Sequence, residues 1–247
     1  MPLSLRFLLI MPFLLLQACE HNSEQAAEKA EKRQKRNDAA SYNTQLGIAY
    51  LKQGDRPRAK RKLLIALDLA PDSPSANGAM AYYLEKTGNI EEAKKYYLKA
   101  LSLSPQNGAQ LNNYGTFLCR QGDFKEAEKY FIKAVNDVTY VHTAGAYENA
   151  GLCAEAVPDY RKAENYFIKA LDQDPRRRQS LHELISVELK ENELNSALLN
   201  LKKYESIVQK DKALLELALE VARKAGKPEL EVEYKQKIDN LLNTMVS

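Results

Sequence analysis

A recurring spacing of 34 residues is the feature that most constrains how this chain can fold. Small residues stand at Gly47, Ala81 and Gly115, and a large apolar residue directly precedes each of them. A second set of small residues follows in the same units: Ala59, Ala93 and Ala127. Small residues at fixed places let two helices approach closely, so the pattern predicts one helix–turn–helix unit per period.

This period is that of the tetratricopeptide repeat, whose helix pairs stack on their neighbours. We therefore predict an all-α fold, a right-handed superhelical tetratricopeptide solenoid of about six helix–turn–helix repeats. Gly54, Gly88 and Gly122 mark the turn inside a pair, because glycine closes a helix at low cost. The repeats are expected near residues 40–73, 74–107, 108–141, 144–177, 178–211 and 212–245.

The N-terminus has the pattern of a bacterial lipoprotein signal. An apolar run that ends at Leu16 precedes Gln17, Ala18 and Cys19. The run is too short to span a bilayer, and a small residue stands directly before the cysteine. We expect a signal peptide at 1–18 and acylation of Cys19, which would anchor the chain to a membrane. A plain secretory signal with an incidental cysteine is the alternative.

The segment that follows is polar and rich in charge. We predict that residues 19–39 form the acylated cysteine and a flexible charged tether, and that residues 40–245 form the solenoid. Contact of the basic residues of this segment with the membrane surface is the alternative to a free tether. Glu20, where aspartate would favour retention in the inner membrane, implies the periplasmic face of the outer membrane as the location.

Composition and motifs argue against several functional classes. The formal net charge is only +3, and basic and acidic residues are interleaved, so nucleic-acid binding is not expected. The three histidines, His21, His142 and His182, share no metal-ligand spacing with cysteines or carboxylates. No phosphate-binding loop or nucleophile elbow occurs. We predict a protein-binding scaffold that is not an enzyme and uses no cofactor, metal or small-molecule substrate.

Two further cysteines lie in corresponding parts of neighbouring repeats. Cys119 and Cys153 fall on the first helices of the third and fourth repeats. Export to the periplasm favours a disulfide between them, and two buried free thiols are the alternative. Such a bridge would join two repeats next to the irregular connection at 136–143.

The first helices of tetratricopeptide repeats line a concave surface, and its residues can be assigned by register. An apolar strip exposed there would be a candidate partner site, unless the tether or the curvature of the array covers it. The predicted groove residues are Thr44, Ile48, Leu51, Gly78, Tyr82, Asn112 and Thr116.

Two stretches carry a more specific resemblance. They are Leu111-Asn112-Asn113-Tyr114-Gly115 with the residues through Gly122, and Glu148-Asn149-Ala150-Gly151-Leu152-Cys153. With the lipoprotein signal and the repeats, they resemble the PilW (PilF) family of type IV pilus biogenesis and stability proteins. The resemblance implies an outer-membrane lipoprotein that acts as a pilotin. Such a protein helps the pilus secretin subunit, its expected partner, to reach the outer membrane and multimerise.

Three other readings compete with this one. A tetratricopeptide lipoprotein could serve as an adaptor for cell-wall enzymes or for outer-membrane protein assembly, and co-purification of a secretin would separate the two. An enzyme with an unrecognised site lacks any pattern of catalytic groups. A cytoplasmic co-chaperone is opposed by the signal ending at Cys19.

Overall fold

The computed structural model describes the backbone of residues 4–246 and the side chains of residues 25–243. Thirteen helices and no strand occur in this part, so the predicted all-α tetratricopeptide fold class is confirmed. Cys19 and the side chains of the predicted signal peptide, 1–18, lie outside the described side chains. The helices are α1 Ser4–Lys52, α2 Arg56–Leu69, α3 Pro74–Lys86, α4 Ile90–Leu103, α5 Gly108–Arg120, α6 Phe124–Val135, α7 Thr143–Glu155, α8 Tyr160–Gln173, α9 Arg178–Lys190, α10 Leu194–Lys203, α11 Glu205–Val208, α12 Lys212–Lys224 and α13 Pro228–Val246.

The chain forms two compact units. The first unit, Met1–Ser104, contains α1 to α4, and the second unit, Pro105–Ser247, contains α5 to α13. In both units the helices form antiparallel pairs, α1 with α2 and α3 with α4, then α5 with α6 and α7 with α8.

The recurring small residues lie where the two helices of a pair meet. A Cβ atom on Gly47 would come within 2.6 Å of the Leu63 side chain, and one on Gly151 within 2.5 Å of the Phe167 ring. Leu63 and Phe167 are fully buried, so each fills the space that its glycine leaves. The close approach of the helices therefore depends on the absence of a side chain at these positions.

The turn between the helices of a pair uses a left-handed residue. Gly88 has a φ of 85°, and Asn192 occupies the corresponding turn in the fifth pair with a φ of 59°. Asparagine adopts this region more readily than most other residues, so the turn is kept there although the glycine is lost.

The segment predicted to be a flexible tether, residues 19–39, is helical instead, because α1 runs without interruption to Lys52. Among its described side chains, Glu28 pairs with Lys32 at 2.7 Å and Glu31 pairs with Lys35 at 2.6 Å. Such pairs at i,i+4 each stabilise a helix by about 0.2–0.5 kcal/mol. Alanines in this segment and these pairs favour helix, and the helix continues from the packed part of α1, which begins at Ala40.

The irregular connection between α6 and α7 is folded back onto the start of α5. Asp137 Oδ2 accepts a hydrogen bond of 2.7 Å from the Gly108 backbone N–H, and Asp137 Oδ1 accepts one of 2.9 Å from the Thr139 N–H. These hydrogen bonds, the one from Gly108 first, lower the pKa of Asp137. A Cβ atom on Gly108 would lie 2.5 Å from Tyr140, so the extra residues are held in a fixed position.

Candidate protein-docking surfaces

The predicted groove residues are divided between the two units. Thr44, Ile48, Leu51, Gly78 and Tyr82 lie on α1 and α3 of the first unit. Asn112 and Thr116 lie on α5 of the second. Each set is therefore described within its own unit.

Two of the predicted groove residues in the first unit are closed to solvent, so the prediction that they line an open groove is corrected. Thr44 is only 9% exposed, and its hydroxyl donates a hydrogen bond of 2.8 Å to the Ala40 carbonyl oxygen. Gly78 is buried within α3. Both residues lie on helix faces that are turned into the packed interior, where a partner has no access.

The predicted apolar strip is also less open than expected. Ile48 and Leu51 are half-buried and pack against a core cluster that includes Leu63, Met80 and Tyr83. The reason is that α1 packs against α3 as well as α2, so the face of α1 that carries Ile48 and Leu51 is partly covered by neighbouring helices. Truncation of Leu51 would therefore affect stability as well as any docking.

Tyr82 is the most suitable anchor among the predicted residues of the first unit. Its side chain is half-buried, and the Lys86 ammonium group lies 5.5 Å from the centre of its ring. Tyrosine offers a large apolar ring with a polar hydroxyl, which suits a protein interface. We call this exposed part of α3, with the half-buried Ile48 and Leu51, the Tyr82 surface.

In the second unit, Asn112 is part of a polar contact between α5 and α7. Its Oδ1 accepts a hydrogen bond of 3.0 Å from Asn149 Nδ2, and Thr116 Oγ1 donates one of 2.8 Å to the Asn112 carbonyl oxygen. Sequence reasoning did not place Asn149 beside Asn112. The two are 37 residues apart, so the 34-residue register alone does not align them.

Cys119 and Cys153 are joined by a disulfide that links the same two helices. Their Cα atoms are 5.8 Å apart and they are separated by 34 residues, one repeat. This Cα distance is in the usual range for a disulfide. Cys153 is buried and Cys119 is half-buried. The bridge therefore fixes the C-terminal ends of α5 and α7 against each other. The irregular connection contacts the start of α5, so the prediction that the bridge lies next to this connection is wrong.

A buried ion pair between α7 and the start of α9 has no counterpart in the sequence-based predictions. Arg177 donates two hydrogen bonds to the carboxylate of Glu148, at 2.6 and 3.1 Å, and Ser180 Oγ donates a third at 2.6 Å. The bond with Glu148 raises the pKa of Arg177. Glu148 is only 7% exposed, so these donors take the place of the water that an exposed carboxylate would bind. The sequence shows no periodicity that pairs Glu148 with Arg177.

A cavity of about 540 Å³ opens beside Cys153. Ala150, Ala154 and Val157 form apolar parts of its lining. On another side, Glu128 accepts hydrogen bonds from the Tyr166 hydroxyl at 2.6 Å and from Lys162 Nζ at 3.1 Å. Burial raises the pKa of Tyr166, so this hydroxyl stays protonated and acts as a donor. These hydrogen bonds hold α8 against α6 at one side of the cavity.

Glu188 is a second buried carboxylate in this unit. It is 1% exposed, its Oε1 accepts a hydrogen bond of 2.6 Å from Asn200 Nδ2, and its Oε2 has no partner. Burial, together with the nearby charges of Glu164 and Glu193, raises the pKa of Glu188 to about 7.

The described residues contain neither a metal-ligand cluster nor a membrane-spanning helix. Within residues 25–243, no three His, Cys, Asp or Glu side chains lie close enough together to hold a metal ion. Nor does any helix among the described residues combine the length and the apolar character needed to cross a bilayer.

Known families and structures resemble the chain at two levels. Two tetratricopeptide-repeat family models match residues 44–108 and 108–176. None of the curated proteins compared with the chain matches it. The MamA protein from Desulfovibrio magneticus RS-1 shares the fold, with a TM-score of 0.53 and 20% identity over 69% of this chain and 95% of that one.

Two solved structures are more similar. The structure of PilF from Pseudomonas aeruginosa is 27% identical, with a TM-score of 0.68, over 83% of this chain and 93% of that chain. PilW, described as a widely conserved type IV pilus biogenesis factor, is 27% identical with a TM-score of 0.68, over 85% of this chain and its own full length. The chain thus has the tetratricopeptide fold of a protein-binding scaffold and is similar in structure to two type IV pilus biogenesis proteins.

Proposed function

We propose that the chain is a pilotin-like lipoprotein that helps the secretin of a type IV pilus to localise and multimerise at the outer membrane. The observation that carries this proposal is the similarity to both PilF and PilW over more than four fifths of the chain. The residues that most resemble that family in sequence lie on α5 and α7, the two helices that the disulfide joins.

Membrane attachment in this proposal comes from acylation of Cys19, which follows a short apolar run as in a lipoprotein signal. Replacement of Cys19 by serine should abolish palmitate incorporation and release the protein from the membrane. Retained labelling in that variant would contradict the lipoprotein part of the proposal.

The Tyr82 surface is the proposed docking site for the secretin. Stacked helices lose little conformational freedom on binding, so a preformed surface can hold an extended segment at low entropic cost. Tyr82 supplies the accessible aromatic group, while Ile48 and Leu51 support it from the edge of the core.

Tyr82→Ala tests this site directly. A hot-spot tyrosine typically contributes 2 kcal/mol or more to binding, so we expect roughly a 30-fold loss of affinity for the secretin and fewer heat-resistant secretin multimers and surface pili. Thermal unfolding should change little, because the side chain is only half-buried.

Tyr42→Ala is the matched control. Tyr42 is also a tyrosine of the first unit, but it is 63% exposed and lies outside the Tyr82 surface. Tyr42→Ala should therefore leave the secretin multimers unchanged. Normal multimers in Tyr82→Ala, at normal protein levels, would place the docking site elsewhere, and co-purification of cell-wall enzymes in place of a secretin would contradict the pilotin function itself.

A further inference from the structure

Charge is distributed unequally between the two units. Residues 25–104 contain fifteen lysines and arginines against nine aspartates and glutamates, whereas residues 105–247 contain twenty against twenty-two. The small net charge of the whole chain therefore conceals a strongly basic first unit. A surplus of this kind on one unit favours association with an anionic partner.

Part of this surplus converges on one cleft. Lys29, Lys32, Arg33 and Arg36 of α1 face the connection between α2 and α3 across a cleft of about 710 Å³. The four side chains follow a spacing of three or four residues, which places them on one side of the helix. Asp72 is the one carboxylate in the lining of the cleft. Its walls are thus predominantly cationic.

Few of these cations are neutralised by the protein. Arg36 donates a hydrogen bond of 3.1 Å to the Asp68 carbonyl oxygen, which fixes the side chain without cancelling its charge. Lys32 pairs with Glu28 on the surface, with both side chains more than 60% exposed. Lys29 and Arg33 make no ion pair with a described residue. Exposed pairs are weak, so an incoming anion can replace Glu28 at low cost.

We propose that this basic cleft binds the phosphate groups of anionic phospholipids and so orients the first unit on the membrane. Guanidinium and ammonium groups form short charge-assisted hydrogen bonds with phosphate, and arginine does so with two donors at once. Lys29 to Arg36 follow Cys19 by 10 to 17 residues on one continuous helix, a distance of roughly 15–26 Å at the helical rise. The cleft is therefore a cationic site of the first unit that lies within about 26 Å of the proposed anchor along α1.

The proposal requires α1 to lie obliquely on the membrane. An upright helix would hold the cleft at least about 15 Å from Cys19, beyond the Debye length of about 8 Å at physiological salt. The lipid anchor at Cys19, which belongs to the proposed function, leaves the tilt of α1 undetermined. Binding of headgroups in the cleft would determine it.

The test uses the full acylated chain in vesicles of phosphatidylcholine alone or with phosphatidylglycerol. A fluorophore on Tyr42→Cys, which is on the exposed side of α1, reports energy transfer to a dye on the lipid headgroups. We expect closer approach to the membrane when phosphatidylglycerol is present. The difference should vanish in roughly 1 M NaCl, where the Debye length falls to about 3 Å.

Two variants that each remove four positive charges distinguish lipid binding in the cleft from attraction by the overall positive charge of the first unit. In the cleft variant, Lys29, Lys32, Arg33 and Arg36 are each replaced by Gln, and the dependence on phosphatidylglycerol should be lost. In the control, four cations of α2 outside the cleft are replaced by Gln: Arg56, Lys60, Arg61 and Lys62. The control should keep the dependence.

Flotation with the same vesicles keeps this test independent of the anchor. If the chain does not float with phosphatidylcholine, the proposed anchor fails, but flotation with phosphatidylglycerol that falls by at least about tenfold in the cleft variant still supports the cleft. Equal approach in both lipids, or an equal loss in the α2 control, would overturn the proposal. So would a cleft variant that keeps the lipid dependence but forms fewer secretin multimers, because the cleft would then bind an acidic segment of a protein.

Discussion

The first unit is held together mainly by the fit of small and large apolar side chains, such as Gly47 against Leu63, whereas the second unit adds a disulfide and buried carboxylates. In the second unit, the carboxylates of Glu148, which pairs with Arg177, and of Glu188 are buried. In the first unit, ion pairs such as that of Lys95 with Glu92 are exposed. The comparison shows that one repeat pattern accommodates two ways of fixing neighbouring helices. It also suggests that the first unit is the more adaptable surface and the second the more rigid support.

Removing the disulfide should produce the largest effect and test the rigidity of the second unit. Replacement of Cys119 and Cys153 by Ser should lower the free energy of unfolding by about 3–4 kcal/mol, because the unfolded chain regains the freedom of a 34-residue loop. Urea titration of the oxidised protein and of this variant measures the change. Two free thiols in the denatured, unreduced exported protein would contradict the pairing.

Breaking the buried ion pair should cost nearly as much. Arg177→Ala leaves the carboxylate of Glu148 with Ser180 as its remaining donor, and we expect a loss of about 3 kcal/mol in the free energy of unfolding. Arg176→Ala is the matched control, since Arg176 is the exposed neighbour whose side chain is 89% accessible. Equal effects of the two substitutions would show that the pair does not distinguish the second unit from the first.

Glu188 should give the second unit a pH dependence. Its pKa in the folded state, about 7, lies above the ordinary value of 4.5, so the folded state binds the proton more tightly than the unfolded state. The contribution of Glu188 to stability should therefore be fully present below about pH 4.5, fall as the pH rises from 4.5 to 7, and be lost above that range.

Glu188→Gln removes this titration, so the difference in the free energy of unfolding between this variant and the unsubstituted protein should be more favourable to the variant by roughly 3 kcal/mol at pH 8 than at pH 4. The exposed Glu229→Gln serves as control. Thermal unfolding at the two pH values measures both variants. An unchanged pH profile in Glu188→Gln would mean that this carboxylate is solvated in solution.

The smallest effect should come from replacing an interface glycine by alanine. One such glycine in each unit allows the two units to be compared directly. Gly151→Ala places a methyl group 2.5 Å from the Phe167 ring and should destabilise the protein by about 1–3 kcal/mol. Gly47→Ala places its methyl group 2.6 Å from Cγ and Cδ2 of Leu63, whose side chain is smaller than the Phe167 ring, so its cost should be smaller. Chemical unfolding of both variants tests the order, and a larger loss for Gly47→Ala would reverse the conclusion about which unit is the more adaptable.

The sequence by itself determined the fold class. Residues such as Gly47 and Ala59 recur at the spacing of a helix pair, and the repeats place Cys119 and Cys153 on the first helices of neighbouring units. These features depend on period and residue size, which are local properties that a single sequence displays. The turn glycines, including Gly88, belong to the same class because their conformation is set by the residue itself.

Tertiary structure alone decided which faces are open and which charges are paired. Register placed Thr44, Ile48 and Leu51 in a groove, but packing of α1 against α3 as well as α2 buries the first and half-buries the other two. The partners Glu148 and Arg177 are 29 residues apart, and the basic cleft joins α1 to a connection some forty residues later along the chain. Contacts of this kind arise only when separate helices are brought together, and no periodicity along the chain encodes them.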